Sequence, residues 1–258
     1  MILTIDIGNT NIVIGAWVDS DLKFVSRIET ERHKTEDGYA VVLMNILELY
    51  ETDFKSVEGS IISSVVPQIS RTMSHAVEKL TGKSSMIVGP GIKTGLNILI
   101  DDPAQLGSDM VVDAVAAVSK YEKPLIVIDI GTATKIFAVD KNGSFLGCSI
   151  MPGIRVGLDA LSERTAQLPQ IDLDAPRDII GTNTVDSMKS GAVYGTASMI
   201  DGMVHRIEER LGQKATVIAT GGLSGDIVPH CTCGVIHDAN LMLEGLYKIY
   251  CKNQSKKV

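Results

Sequence analysis

A short sequence occurs twice in this chain and constrains its fold more than any other feature. Ile5-Asp-Ile-Gly-Asn9 recurs as Ile128-Asp-Ile-Gly-Thr132, at a spacing of 123 residues. Each copy closes an apolar strand and precedes a second strand that ends in Val-Asp at a turn. Such a recurrence is typical of chains that use one supersecondary unit twice. We therefore predict two successive halves, residues 1–120 and 121–258, each with a sheet and helices.

The strands and helices predicted around the two copies follow one plan. Short apolar runs predict a group of three strands at each copy, at residues 1–7, 11–18 and 22–28 and at 125–129, 134–140 and 144–150. Further apolar runs lie at residues 60–66, 86–88 and 216–219. Helical periodicity predicts the main helices, at residues 36–50, 67–80, 102–120, 184–211 and 240–250. The helix from Asp102 is expected to start with a capping box, Asp-Pro-Ala-Gln105. The polar tail from Lys252 is expected to be loose.

The two Asp-Ile-Gly turns have the chemistry of phosphate-binding loops. Glycine leaves no side chain at the turn, so a phosphate can approach the backbone. The hydroxyls of Thr10, Thr132 and Thr134 can then donate hydrogen bonds, while Asp6 and Asp129 are placed to bind cations or metal-bound water. Asp-Gly and Gly-Asn pairs also form ordinary turns, but two copies at equivalent points of a repeat favour the phosphate interpretation. A third segment, Ala219-Thr-Gly-Gly222, could pass close to a purine or ribose.

Charge and hydropathy exclude several other classes of function. The net charge is −7, which argues against a DNA or RNA partner because nucleic-acid-binding surfaces are basic. No apolar run approaches the ~18–20 residues that span a bilayer, so we expect no membrane association. The stretch from Met1 to Asp6 lacks the basic region of a secretory leader, and we expect a cytoplasmic protein.

Asp109 and Asp113 are the candidates for a catalytic carboxylate. They are four residues apart on a predicted helix and therefore share one face. Like charges at that spacing cost roughly 0.2–0.5 kcal/mol, so the fold alone does not call for them. One interpretation is that one or both are solvated; the other is that Asp109 accepts the proton of an alcohol substrate.

The order of these motifs is that of a known superfamily. Two phosphate turns followed by Thr-Gly-Gly resemble the actin, Hsp70 and sugar-kinase superfamily, and within it the chain closely resembles the type III pantothenate kinases. The resemblance extends from Asp6 to Asn240. Its main segments, beyond the two turns, are Asp102-Pro103, Gly107-Ser-Asp-Met110, Asp113-Ala-Val-Ala-Ala117, Pro152-Gly153 and Gly181-Thr-Asn-Thr184.

The resemblance implies a fold, a reaction and a set of site residues. The fold would be α/β, with two ribonuclease-H-like halves of mixed sheets flanked by helices (the actin-like ATPase fold) and a nucleotide cleft between them. The reaction would be ATP-dependent phosphorylation of pantothenate, the first step of coenzyme A biosynthesis, by a homodimer. ATP with Mg²⁺ would contact Asp6, Ile7, Gly8, Asn9, Thr10, Asn11, Ile12, Val13 and Thr132. Pantothenate would contact Gly107, Ser108, Asp109, Met110 and Thr184. Asp109 would be the catalytic base, and Asp129 would bind a monovalent cation, K⁺ or NH₄⁺.

Three residues depart from the common pattern of that family. Met110 stands where Arg is common, Ile100 where many members have Tyr, and Lys135 where many have Thr. The first two leave open a related kinase with another acceptor. Lys135 could bring charge near the phosphates or point to solvent. A non-enzymatic regulatory homologue is a further alternative, although a binding module would not need Asp6, Asp109, Asp129 and Thr132 together.

The long helix predicted at residues 184–211 carries Gly191-x-x-x-Gly195. Two interpretations stay open for this pair of glycines. They could allow close packing inside the subunit, or they could lie in a dimer interface.

Overall fold

The computed structural model describes residues 1–254. The chain folds into an α/β structure with two mixed sheets flanked by helices. The strands are β1 (Ile2–Ile7), β2 (Asn11–Val18), β3 (Asp21–Glu29), β4 (Gly59–Ser64), β5 (Met86–Ile87), β6 (Asn97–Ile98), β7 (Leu125–Ile130), β8 (Ala133–Val139), β9 (Ser144–Pro152), β10 (Thr216–Thr220) and β11 (Ile236–His237). The helices are α1 (Glu36–Leu49), α2 (Pro67–Thr81), α3 (Ser108–Lys120), α4 (Ile154–Arg164), α5 (Thr184–Leu211), α6 (Ser224–Ile227) and α7 (Leu241–Gln254).

These elements form two compact units. The first contains residues 1–95, 102–116 and the segment that begins at Leu241, and the second contains residues 96–101 and 117–240. Within the described residues, no helix is both long enough and apolar enough to cross a membrane.

The first unit is built on a five-stranded sheet in the order β3-β2-β1-β4-β5. β1 pairs antiparallel with β2 and parallel with β4. Alternate residues of β1 and β2, such as Ile5 and Ile14, are buried with Leu43 of α1 and Met73 of α2. A separate cluster joins Ile61 of β4 to Val112 of α3 and to α7. The sheet is thus covered by helices on both faces, as α/β folds require.

The second unit repeats this plan with a six-stranded sheet in the order β11-β10-β7-β8-β9-β6. β7, β8 and β9 form the antiparallel meander that the sequence repeat predicted, and β10 adds in parallel to β7. Ile128 and Ile130 of β7, with Ile136 of β8, pack against Leu158 of α4 and Val193 of α5. Asp129, which lies between Ile128 and Ile130 in β7, faces the opposite side of the sheet.

The last helix differs in position from the sequence prediction, which assigned residues 121–258 to the second half. α7 packs on the first sheet, because Leu246 and Ile249 are fully buried in the cluster around Ile61. The side chain of Tyr247 stacks on Trp17 of β2 with ring centroids 4.7 Å apart. α7 also continues to Gln254, into the tail that we expected to be loose; residues 255–258 of that tail lie outside the described part of the chain.

The helix predicted from Asp102 begins later, at Ser108. Asp102 does accept a hydrogen bond, at 3.0 Å from the amide of Ala104, but it caps only a short 3₁₀ turn, Pro103–Gln105. The side-chain amide of Gln105 donates to the Asp102 carboxylate at 2.9 Å, whereas in a capping box it would accept from the backbone amide of Asp102. Leu106 then adopts extended dihedral angles, so the chain leaves the helical conformation before α3 starts.

Candidate active site

The first Asp-Ile-Gly turn joins β1 to β2. Asp6 lies opposite Val13 in the strand pair, and the amide of Gly8 donates to the carbonyl of Asn11 at 3.0 Å. The hydroxyl of Thr30 donates to the Gly8 carbonyl at 2.8 Å, and its amide donates to the Thr10 carbonyl at 2.9 Å. The segment that follows β3 therefore fixes the shape of the turn.

Arg32, which the sequence analysis missed, adds a cation to this turn. Its guanidinium donates to the side-chain oxygen of Asn9 at 3.2 Å and is exposed. A planar guanidinium is well suited to bind phosphate oxygens. The signal in the sequence was the basic run Arg32-His33-Lys34, directly after the third strand of the meander.

The segment Gly107–Met110 lies at the same edge of the first sheet as the Asp6 turn. The hydroxyl of Ser108 is 3.1 Å from that of Ser63 and donates to the carbonyl of Ser64 at 3.3 Å. Ser63 and Ser64 end β4, where they lie opposite Asp6 and Ile7 of the parallel strand β1. The N-terminus of α3 is thereby anchored at the carboxyl edge of the sheet, which is where ligands bind in open α/β folds.

The two acidic residues of α3 differ in environment. Asp109 lies in the first turn of the helix and is partly exposed, and one of its carboxylate oxygens accepts a hydrogen bond from the amide of Met110 at 2.8 Å. Asp113 is only 1% exposed, so the interpretation that it is solvated is wrong. Met110 is also buried, at 6% exposure. Of the two carboxylates, Asp109 is therefore the one that a substrate can reach.

The second Asp-Ile-Gly turn carries an ion pair across its strands. Asp129 of β7 lies opposite Lys135 of β8, and the Lys135 ammonium is 2.5 Å from the Asp129 carboxylate. The two side chains are only 15% and 14% exposed. Lys135 therefore does not point to solvent, contrary to one of the two alternatives. A K⁺ or NH₄⁺ ion at Asp129 does not fit this arrangement, because the lysine ammonium already contacts the carboxylate.

The Thr-Gly-Gly segment after β10 packs against this second turn. Thr220 lies opposite Asp129 in the parallel pair of β10 and β7, and Gly221 follows with φ of +95°. A side-chain carbon added at Gly221 would lie 2.5 Å from the Asp129 carboxylate and 2.6 Å from the carbonyl of Ile130. Only glycine permits this approach. The Thr-Gly-Gly segment therefore packs directly against the second Asp-Ile-Gly turn.

A cavity next to the second turn contains Thr184. The carbonyl of Thr132 accepts a hydrogen bond from the amide of Gly153 at 3.1 Å. Gly153 and Thr184 both line a cavity of about 800 Å³, together with apolar residues of α4 and α5 such as Leu158. Thr134, in contrast, is buried at 1% exposure. Its hydroxyl, which we expected to reach a phosphate, lies on the face of β8 that carries Ile136 of the core.

Comparison with known proteins decides the family of this chain. Residues 2–206 match the sequence profile of the type III pantothenate kinases. The chain belongs to the type III pantothenate kinase family. The type III pantothenate kinase of Brevibacillus brevis is 42% identical over 255 residues, which cover 99% of this chain and 100% of that protein. That of Moorella thermoacetica is 40% identical over 253 residues, which cover 98% and 100%.

The fold of this pantothenate kinase family member is also found in a solved structure of low sequence identity. The activator of 2-hydroxyisocaproyl-CoA dehydratase from Clostridium difficile, solved with bound ADPNP, superposes with a TM-score of 0.58. The match covers 99% of this chain and 97% of the activator at 14% identity. The predicted fold class, α/β with two mixed sheets of the actin-like ATPase and sugar-kinase type, is confirmed.

Proposed function

We propose that this chain transfers the γ-phosphoryl group of ATP to the 4′-hydroxyl of pantothenate, the first step of coenzyme A biosynthesis. One observation carries the proposal: in a chain that aligns with pantothenate kinases over its length, Ser108 holds the Asp109 turn beside the strand of Asp6. A carboxylate for proton transfer and a phosphate turn thus share one sheet edge. ATP is the phosphoryl donor of such a kinase, so we place the protein in the cytoplasm.

The nucleotide part of the proposal rests on the first turn. We propose that residues 6–13 and Thr132 bind ATP and that Arg32 contributes charge to its phosphates. The Asp6 carboxylate is partly exposed at the end of β1, which suits Mg²⁺, an ion that uses one or two carboxylates together with waters and phosphate oxygens. Bound there, Mg²⁺ would neutralise phosphate charge.

Asp109 has a defined task in the proposed reaction. As the pantothenate hydroxyl oxygen forms a bond to the γ-phosphorus, its proton passes to the Asp109 carboxylate. The bond from the γ-phosphorus to the bridging oxygen breaks, and its electron pair leaves with ADP. Phosphoryl transfer depends mainly on positioning and charge neutralisation, and a general base contributes a further ~10²–10⁴-fold.

We propose Gly107–Met110 and Thr184 as the residues that bind the acceptor. Thr184 lines the cavity beside Gly153, and Asn183 caps the helix on which it stands by accepting from the amide of Asp186 at 2.9 Å. A second candidate function is phosphorylation of another small alcohol. It is favoured by Met110, which stands where Arg is common and is buried at 6% exposure, so that it offers no charge to an acceptor carboxylate.

We also propose that the chain is a homodimer that pairs through α5. Gly191, Gly195 and Gly202 are exposed along this helix, and a side-chain carbon added at any of them would meet no atom within 4 Å. Close packing inside the subunit therefore does not account for them. Ile179 and Ile180, just before α5, are 62% and 76% exposed, and burial in an interface would remove their apolar surface from water. Light scattering of the purified protein would measure the mass of the assembly.

An ADP-release assay with and without pantothenate tests the reaction. We expect release that depends on pantothenate and a product with one added phosphate by mass spectrometry. A panel of other alcohols, including pantothenate analogues without the carboxylate, separates the two candidate functions. Release without any acceptor would indicate an ATPase and contradict the proposal, while signal only with a different alcohol would support the second candidate.

A further inference from the structure

Lys135 and Asp129 are placed together by the strand register and not by chance contact of surface side chains. Residues directly opposite each other in an antiparallel pair have their Cβ atoms about 4.5–5.5 Å apart on the same face of the sheet. Asp129 and Lys135 are such a pair, and their charged atoms are 2.5 Å apart. Both side chains are at most 15% exposed, so the pair is shielded from solvent and salt.

The Asp129 carboxylate needs a compensating positive charge at this place. Gly221 approaches it on one side and Thr220 lies opposite it on the next strand, so the group is largely desolvated. A buried carboxylate is costly unless it is paired and hydrogen-bonded. Thr132, three residues on, is a proposed contact of the ATP phosphates, and an uncompensated carboxylate there would also repel the polyphosphate.

We propose that the ammonium group of Lys135 is the fixed monovalent cation of the second turn, so that turnover in this chain does not depend on K⁺ or NH₄⁺. The inference rests on the proposed kinase function and defines the ion requirement of the same site. A tethered ammonium carries the charge of K⁺ and the hydrogen-bond donors of NH₄⁺. It is held beside the carboxylate by the strand itself, and its effective local concentration is far above that of a dissolved ion.

The first turn shows that the strand–turn–strand unit does not itself require a lysine. At the position opposite Asp6 the chain has Val13, which carries no charge. Lys135 is thus a specific feature of the second turn. Replacing it with Thr, the residue common in the family at this position, is expected to convert the site into one that depends on a dissolved ion.

Ion dependence of turnover is the main test. Pantothenate-dependent ADP release is measured in choline, Na⁺, K⁺ and NH₄⁺ chlorides at constant ionic strength. The unmodified chain is expected to vary by less than about twofold among these salts. Lys135→Thr is expected to lose about tenfold or more in choline and to recover most of its rate in K⁺ or NH₄⁺. Lys135→Met, which removes the charge but fills the space, is expected to stay impaired in every salt. Lys141→Thr, at an exposed turn of the same meander, is the matched control and should behave like the unmodified chain.

Thermal unfolding in the same salts gives a readout independent of turnover. K⁺ or NH₄⁺ should raise the midpoint temperature of Lys135→Thr relative to choline, and should leave that of the unmodified chain unchanged. Should Lys135→Thr fold only with one of these ions, that result also supports the proposal. Tenfold stimulation of the unmodified chain by K⁺, or a Lys135→Thr variant whose rate and unfolding ignore the ion, overturns it. Absence of pantothenate-dependent ADP release in every salt would refute the kinase function, and the unfolding measurements would still decide the role of Lys135.

Discussion

The two Asp-Ile-Gly turns share a backbone plan but differ in what surrounds their carboxylates. In the first turn Gly8–Asn11 separate the paired residues Ile7 and Ile12, whereas in the second only Gly131–Ala133 separate Ile130 and Thr134. Because the second turn is one residue shorter, Lys135 takes the place of Val13 and not that of Ile12. The repeat therefore fixes strand geometry, while a single residue of turn length decides which side chain faces the acid.

The two turns therefore differ in the roles that we expect for their carboxylates. The first is held by Thr30 and lies beside the start of α3, so its carboxylate Asp6 and the proposed base Asp109 share one edge of the first sheet. In the second, Asp129 is engaged by Lys135 and approached by Gly221. This comparison predicts that substitutions around the first carboxylate change the reaction, whereas substitutions at Lys135 or Gly221, around the second carboxylate, change the stability and the ion requirement.

The largest effect is expected at Asp109. Asp109→Asn removes the proton acceptor without changing the shape of the side chain, and kcat should fall by about 10²–10⁴-fold. Binding of ATP, measured by calorimetry, should persist because Asp109 is not a proposed nucleotide contact. Asp21→Asn, at a carboxylate that is 77% exposed in the first unit, is the control and should keep full activity. Unchanged kcat in Asp109→Asn would remove this residue from the mechanism and leave the first turn without a base.

A second prediction compares the glycines of the two turns. Gly221→Ala places a carbon 2.5 Å from Asp129 at φ of +95°, and both strain and overlap should lower the free energy of unfolding by about 2–4 kcal/mol. Gly8→Ala meets only the Asn11 carbonyl, at 3.0 Å, and should cost about 1 kcal/mol. Urea unfolding of the two variants measures the difference. Equal losses would show that the second turn is no more tightly enclosed than the first.

The sequence predicted the parts of the fold that depend on local pattern. Both meanders follow from the repeated strand and turn residues, and the helix from Pro67 follows from proline at its first position. The start of α3 did not follow from the local pattern. The side chains of Asp102 and Gln105 hydrogen-bond each other in a short turn instead of starting the helix. The position of α7 depends on the packing of Leu246 and Ile249 in the cluster around Ile61. These contacts are long-range, and helical periodicity does not predict them.

The candidate site was predictable to a similar extent. The motifs identified Asp6, Asp109 and Asp129 as carboxylates of interest, and the resemblance proposed their roles. The partner of Asp129 could not be found by ungapped comparison of the repeat, since the one-residue difference in turn length moves Lys135 by one position. Strand register places residues on alternate faces, so an error of one residue is enough to turn Lys135 away from the carboxylate.

A third prediction concerns acid stability of the second unit. Burial raises the pKa of Asp238, but hydrogen bonds from Lys120 and Tyr121, at 2.8 and 2.7 Å, outweigh it and lower the pKa overall. A lowered pKa in the folded state means that the carboxylate stabilises the fold above the unfolded pKa of about 3.9 and loses this contribution as pH falls through the folded pKa. Asp238→Asn should therefore cost about 1–3 kcal/mol at neutral pH.

The pH dependence distinguishes this effect from simple damage to packing. The difference in unfolding free energy between Asp238→Asn and the unmodified chain should shrink below about pH 4, where the Asp238 carboxylate of the unfolded chain starts to be protonated, and should continue to shrink as pH falls through the lower folded pKa. Urea unfolding at several pH values would measure it. A difference that stays constant from neutral to acidic pH would mean that the ion pair with Lys120 contributes nothing. Asp238 is not a proposed contact of ATP or of the acceptor, so kcat at neutral pH should be unchanged wherever the protein is folded.

The smallest effect is expected at Arg32, whose guanidinium is the positive charge beside the first turn. Arg32 is exposed and bonds Asn9 at 3.2 Å, so solvent and salt weaken its attraction for phosphate. Arg32→Gln should raise KM for ATP by about three- to tenfold, with little change in kcat, and the effect should diminish at high ionic strength. Arg71→Gln, an exposed arginine on α2, is the matched control for loss of one positive charge. If both variants shift KM equally, the effect comes from net charge alone. The proposed nucleotide contacts of the first turn would then be its backbone and Asp6 without a local cation, in contrast to the second turn, where Lys135 lies beside the carboxylate.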